Sequence, residues 1–135
     1  MLILWFKETL LAVNISETVS KGELEGLNRI LQNLNTSAKQ FTSPCGNLLH
    51  ISASLSKFKD FKKILLWSGI DPNSQNPHDG STTLHIATRL SRYDIVEYLL
   101  SIPEINETIK DKEGKTCSDY CKNKSILNLF ECKHK

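Results

Sequence analysis

Gly46-Asn47-Leu48-Leu49-His50-Ile51-Ser52-Ala53 and Gly80-Ser81-Thr82-Thr83-Leu84-His85-Ile86-Ala87 are two versions of one segment. The chain around them repeats as well. Gly46, Asp60, Leu65 and Leu66 return in the same order and at the same intervals as Gly80, Asp94, Leu99 and Leu100. Gly114 follows Gly80 at the distance that separates Gly80 from Gly46. A period of this size marks stacked supersecondary units, none of which can bury its apolar face alone. Such arrays present extended surfaces and commonly serve as binding scaffolds.

The second copy reads most clearly. Asp79-Gly80 is a tight-turn signal, and Thr82 is a good N-cap for a helix beginning near Thr83. Leu84, Ile86, Ala87 and Leu90 form its apolar residues, and small Ala87 admits a neighbouring helix. Ser91-Arg92-Tyr93-Asp94 breaks the run. Ile95, Val96, Tyr98, Leu99 and Leu100 predict a second short helix, which Pro103 ends. The preceding copy has the same plan, with helices over Leu48 to Leu55 and Asp60 to Trp67 and a C-terminal glycine at Gly69. Its Leu49-His50 stands one position further from Leu84-His85 than the flanking landmarks stand from theirs, a slip that turns absorb.

The following copy decays. Asp111 to Thr116 keeps the turn and cap, but Ser118, Asp119 and Tyr120 replace Leu84, His85 and Ile86. A helix over Ser125 to Glu131 carries Ile126, Leu127, Leu129 and Phe130. A more polar last unit suits an array end. Upstream, Gly22 to Leu31 reads as the second helix of a divergent unit, with Leu10 to Ser20 as its partner. Gly26 weakens that helix by up to roughly 1 kcal/mol relative to alanine. Asn33 to Pro44 is a polar, turn-rich connection.

Composition narrows the function classes. The chain has 135 residues, 39% hydrophobic and 24% charged, which suits one folded domain with a modest core. A net charge of +2 does not argue for nucleic acid. The densest basic stretch, Lys57 to Lys63, carries its apolar residues at helical spacing and reads as a solvated helix face. No apolar run approaches the roughly 20 residues needed to span a bilayer. Met1 to Phe6 is apolar but makes a poor secretory signal. It reads as a cap over the first repeat, with a membrane-surface anchor as the other reading. The sequons at Asn14, Asn35, Asn106 and Asn123 are therefore expected to be unused, and a reducing compartment, cytosol or nucleus, is expected for the four cysteines.

These residues resemble the ankyrin repeat, whose pattern is a turn, T-P-L-H-x-A, and two helices at a period near 33. Thr82-Thr83-Leu84-His85-Ile86-Ala87 matches except at Thr83, where proline is usual. Leu65 to Asn73 resembles the family's helix end and following turn. Glycine is usual at the positions of Ser91 and Lys57, so those inter-helix turns are expected to be looser. Glu104 to Asp111, with Gly114-Lys115-Thr116-Cys117, is similar to fungal units such as the ankyrin region of yeast oxysterol-binding-protein homologues. The resemblance implies an all-α ankyrin-repeat solenoid. It would have about three recognisable repeats plus a divergent N-terminal one, in a single domain over 1–135. The divisions are 1–41, 42–75, 76–109, a capping repeat over 110–131, and a tail over 132–135.

The resemblance also makes His50 and His85 structural, tying helix starts to nearby turns. As catalytic bases they would need a nucleophile and an orienting acid, and the sequence offers no signature of either. Cys117, Cys121, Cys132 and His134 have a faint zinc-like spacing. Cys121, however, falls at Ala87's position, where cysteine acts as a small hydrophobe. No phosphate loop, G-x-S-x-G elbow or H-E-x-x-H pair occurs.

No catalytic residue, metal ligand or cofactor is therefore expected. The expected function is non-enzymatic protein binding by a monomer, with a zinc-binding or membrane-associated adaptor as the alternative. In ankyrin arrays the partner lies against the turn tips and the exposed side of each first helix. The expected contacts here are Leu55, Asn76, His78, Asp79, Arg89, Leu90, Arg92, Tyr93 and Lys112. Ser54, Pro77, Lys110 and Asp111 lie among the same exposed positions and tips.

Overall fold

A computed structural model describes residues 14–43 and 46–133. Met1 to Phe6 and His134 lie outside these residues. Helices dominate: α1 (14–21), α2 (Leu24–Asn33), α3 (Leu48–Leu55), α4 (Phe58–Ser68), α5 (Thr83–Arg89), α6 (Tyr93–Ser101), a single 3-10 turn (Cys117–Tyr120) and α7 (Lys124–Lys133). Among the described residues there is no strand, only an isolated antiparallel bridge between Ser43 and Gly46. The chain divides into two compact units, Met1–Gly69 and Ile70–Lys135.

The starts at Asn47, Thr82 and Thr116 follow one rule. Asn47 accepts the His50 amide at 3.0 Å on its side chain, and His50 Nδ1 accepts the Asn47 amide at 3.0 Å. Thr82 and His85 make the same reciprocal box. In the last repeat Thr116 and Asp119 make it, with Asp119 standing where histidine stood. Each box satisfies amides that a helix start leaves without partners. The turn before each box holds one of the evenly spaced glycines: Gly46 at φ 102°, Gly80 at φ 76° and Gly114 at φ 78°. At Gly80 a Cβ would sit 2.8 Å from the Lys112 backbone nitrogen, so conformation and space both demand glycine.

In the first unit, Leu27, Leu31, Leu48, Leu49, Phe61 and Ile64 are among the large buried side chains. Fully burying one such side chain contributes about 1.5–3 kcal/mol. Buried Ser56 donates its hydroxyl to the Val19 carbonyl at 2.7 Å, tying the α3–α4 turn to α1. The upstream helix pair differs from the expected bounds. Gly22 is not helical; at φ 67° it closes α1, and α2 starts at Leu24. Of the expected Leu10 to Ser20 partner, the described part is helical. In the second unit α5, α6 and α7 bury Leu84, Ala87, Ile95, Val96, Leu99 and Ile126.

The two inter-helix turns expected to be looser differ from each other. Ser91 takes glycine's own conformation, φ 57°, while the Ser91 and Arg92 amides return to Thr88 and Ala87. This is the closure glycine makes at helix ends, here carried by serine. Lys57 is extended instead, φ −67° and ψ 157°, and serves as the N-cap of α4. The last repeat departs furthest. After its capped start the chain manages only the 3-10 turn, because polar Ser118 stands where the preceding repeat buries Leu84 and leaves little apolar face to sustain a longer helix. Cys121 therefore does not take Ala87's place between helices. It is extended and half-buried, with its thiol 3.1 Å from the Asn123 carbonyl.

Candidate partner-binding face

The second unit carries most of the predicted contact residues, set on two stacked turns. In the first, the Asn76 amide donates to Ser81 at 2.8 Å and the Gly80 amide to Asn76 at 2.7 Å. Asp79 Oδ1 accepts the Ser81 amide at 2.9 Å. In the second, Asp111 Oδ1 accepts the Glu113 amide at 2.9 Å and the Lys115 amide at 3.0 Å. The turns are stitched together. The Lys112 amide reaches the Asp79 carbonyl at 2.9 Å, Lys112 Nζ reaches the Pro77 carbonyl at 2.6 Å, and Gln75 bridges the Gly80 and Lys110 carbonyls.

His85 completes the frame. Its Nδ1 accepts the Thr82 amide at 3.1 Å, so its Nε2 is assigned the proton and donates to the Lys115 carbonyl at 3.0 Å. Both ring nitrogens are held by the backbone of neighbouring turns, and the histidine is buried. That is the arrangement of a structural ring, not of a base facing solvent.

Tyr120 forms the floor between the turns and α5. Its hydroxyl donates to Asp111, which pushes the phenol up to about 12 and holds the Asp111 carboxyl below its ordinary value. Arg89 lies 5.5 Å from its ring centroid, Lys115 Nζ lies 5.4 Å away, and His85 meets it edge-on at 6.0 Å. Cations over a tyrosine face are attracted by the ring's negative π surface. Asp79 is lowered: partial burial opposes ionisation, but the Ser81 amide and the Arg89 charge favour the carboxylate. A recess of about 270 Å³ opens here, with His78, Asp79, Arg89, Lys112 and Glu113 on its walls.

The predicted residues do not form one cluster. His78, Asp79, Arg89 and Lys112 meet around this recess. Leu90 is 49% exposed and Tyr93 43%, at the junction of α5 and α6, with Arg92 half-buried between them. Leu55, 50% exposed, ends α3 in the first unit. Asn76 does not belong with them. It is 6% exposed, and its side chain accepts the His78 amide, so it builds the turn instead of its tip. Asp111 is buried for the same reason. Tyr120 was missed as a site residue, since its position pointed only to a substitute for Ile86; an aromatic at an otherwise aliphatic repeat position was the available signal.

Among the described residues, the three cysteines of the zinc-like spacing form no candidate metal cluster. Cys117 is buried, and burial pushes its thiol up to about 12. Cys121 turns to Asn123, and Cys132 is exposed on α7. Among the described residues no three His, Cys, Asp or Glu side chains converge. Among the same residues no helix is long and apolar enough to cross a membrane.

A sequence model of the family described as ankyrin repeats in three copies matches residues 16–111 and 49–131. The chain belongs to the ankyrin-repeat family. Crystal structures of ankyrin domains share its fold. The Osh1 ankyrin domain of Kluyveromyces lactis aligns with a TM-score of 0.77 at 25% identity, covering 94% of this chain and 51% of that one. The Saccharomyces cerevisiae Osh1 ankyrin–Nvj1 structure aligns at 0.74 and 24% identity, covering 94% and 55%. Among curated proteins, oxysterol-binding protein homolog 2 of S. cerevisiae is 34% identical over 64 residues, 47% of this chain and 5% of that protein. I-Kappa-B like protein G2 of Microplitis demolitor bracovirus is 36% identical over 73 residues, 53% and 44% of the two chains. The chain thus spans about half the length of the similar ankyrin crystal chains and a small part of the yeast oxysterol-binding homologues. The ankyrin family is generally one of protein interaction and not of catalysis.

Proposed function

We propose that this ankyrin-repeat chain is a non-enzymatic protein-binding module whose second unit holds its partner. The observation that carries the reading is that Arg89 lines the Tyr120 recess while Leu90 and Tyr93 stand exposed at the α5–α6 junction that follows it in the chain. Arginine and tyrosine are favoured anchors at protein interfaces. The stacked turns hold this face rigid, which lowers the ordering cost of binding. The Osh1 ankyrin domain solved with Nvj1 supports a protein partner by analogy of fold. The reading includes a monomer in a reducing compartment, cytosol or nucleus, where Cys117 stays a thiol.

Affinity purification with quantitative mass spectrometry tests it. Arg89→Ala with Tyr93→Ala should deplete the captured partner at least tenfold while the helical circular dichroism is unchanged. An unchanged partner profile rejects the face.

A further inference from the structure

The geometry points to α4 as a docking ridge for an anionic membrane surface. Lys59, Lys62, Lys63 and Leu66 are all exposed. At helical spacing they fall on one stripe about 100° wide. Phe61, Ile64, Leu65 and Ser68 are buried on the opposite side. Leu66 is the most exposed large apolar residue among those described, at 71%. Trp67, beside it, is half-buried.

Along the stripe basic residues outnumber acidic ones. From Gly46 to Gly69 the chain carries four lysines, at 57, 59, 62 and 63, and one carboxylate, Asp60. That carboxylate is largely covered and pairs with Lys63 at 3.8 Å. The packed partner helix, α3, carries His50 and no Lys, Arg, Asp or Glu. On α2, Glu25 and Arg29 are exposed and offset one another. A surface that attracts this ridge must supply negative charge along a helix face and cover one leucine.

A bilayer rich in anionic lipids supplies both, with lysines at the phosphates and the leucine at the acyl boundary. A protein partner would need carboxylates in fixed register around a pocket, whereas mobile lipids adapt to the ridge. This docking uses α4 and is independent of the face around Arg89 and Tyr93.

Vesicle sedimentation of the full chain tests it, comparing phosphatidylcholine alone with phosphatidylcholine containing about a third phosphatidylserine. At low salt the wild type should sediment at least tenfold more with the anionic vesicles, and raised salt should release it. Lys59→Glu with Lys62→Glu and Lys63→Glu should abolish the difference, and the same three changes to arginine should keep it. Leu66→Ser should weaken binding several-fold. Charge reversal at Lys110, Lys122 and Lys124 should leave it intact. Three outcomes overturn the proposal. The wild type could ignore both vesicles, including the case in which it binds polyglutamate. The α4 charge-reversed chain could still bind, which would credit another segment such as Met1 to Phe6. Binding could also be indifferent to lipid charge.

Discussion

The Thr82 and Thr116 segments begin alike and end differently. Both open with a threonine cap whose partner three residues on returns the bond, His85 in one and Asp119 in the other. After Thr82 the chain runs through buried Leu84, Ile86 and Ala87 and completes α5. After Thr116 it stops after one 3-10 turn. The cap starts a helix but does not sustain it; burial of the apolar face does. The two partners also differ in reach. His85 has a second ring nitrogen and spends it on Lys115, in the turn of the next repeat. Asp119 serves only its local cap. His85 therefore links two successive turns, and Asp119 closes only its own.

The sharpest test contrasts Leu84 with its counterpart Ser118. Leu84→Ala should cost about 2–5 kcal/mol, and Ser118→Ala less than about 0.5 kcal/mol, by urea denaturation. Equal costs would break the comparison. His85→Ala comes next. It strands the Thr82 amide and the Lys115 carbonyl and should cost about 2–3 kcal/mol, whereas Asp119→Ala loses a cap alone, about 1 kcal/mol. Amide exchange at Lys115 and its neighbours should accelerate in the first variant only.

The Tyr120–Asp111 bond gives two pH windows. Tyr120 is raised to about 12 from 10.0, so its contribution is complete below pH 10 and is lost as pH rises towards 12. Asp111 is lowered from 3.8, so its contribution is present above that value and fades as pH falls below it. Thermal melts of Tyr120→Phe should lose the alkaline dependence and weaken the acid one, since the Glu113 and Lys115 amides still favour the Asp111 carboxylate.

Ser91→Gly is the smallest effect. Relieving serine of the left-handed conformation should stabilise by about 0.5 kcal/mol, while Lys57→Gly, at an extended residue, should destabilise slightly. A gain at position 57 would contradict the difference between the two turns.

Much of this was legible in the residues. The evenly spaced glycines, the Asn47 and Thr82 caps and the apolar runs specify the repeats because each encodes a local backbone demand. Ser91 was opaque, since serine takes the left-handed conformation only when the surrounding helix pair enforces it. Cys121 was misplaced because alignment by period assumes that the helix continues, and the polar Ser118-Asp119 pair ends it. Asn76 and Asp111 look like exposed tips in a polar turn. Their side chains are consumed by amides within the turn, a contact invisible without the backbone path. The Arg89–Tyr120 pairing joins side chains from successive repeats, and only folding brings them together.

Site-specific photocrosslinking tests the binding face most directly. A benzophenone side chain at Leu90 should capture a discrete protein adduct in cells, and the same group at Ser101, exposed at the far end of α6, should not. Adducts of equal yield at both positions, or none at Leu90, would contradict the assignment of the partner to this face.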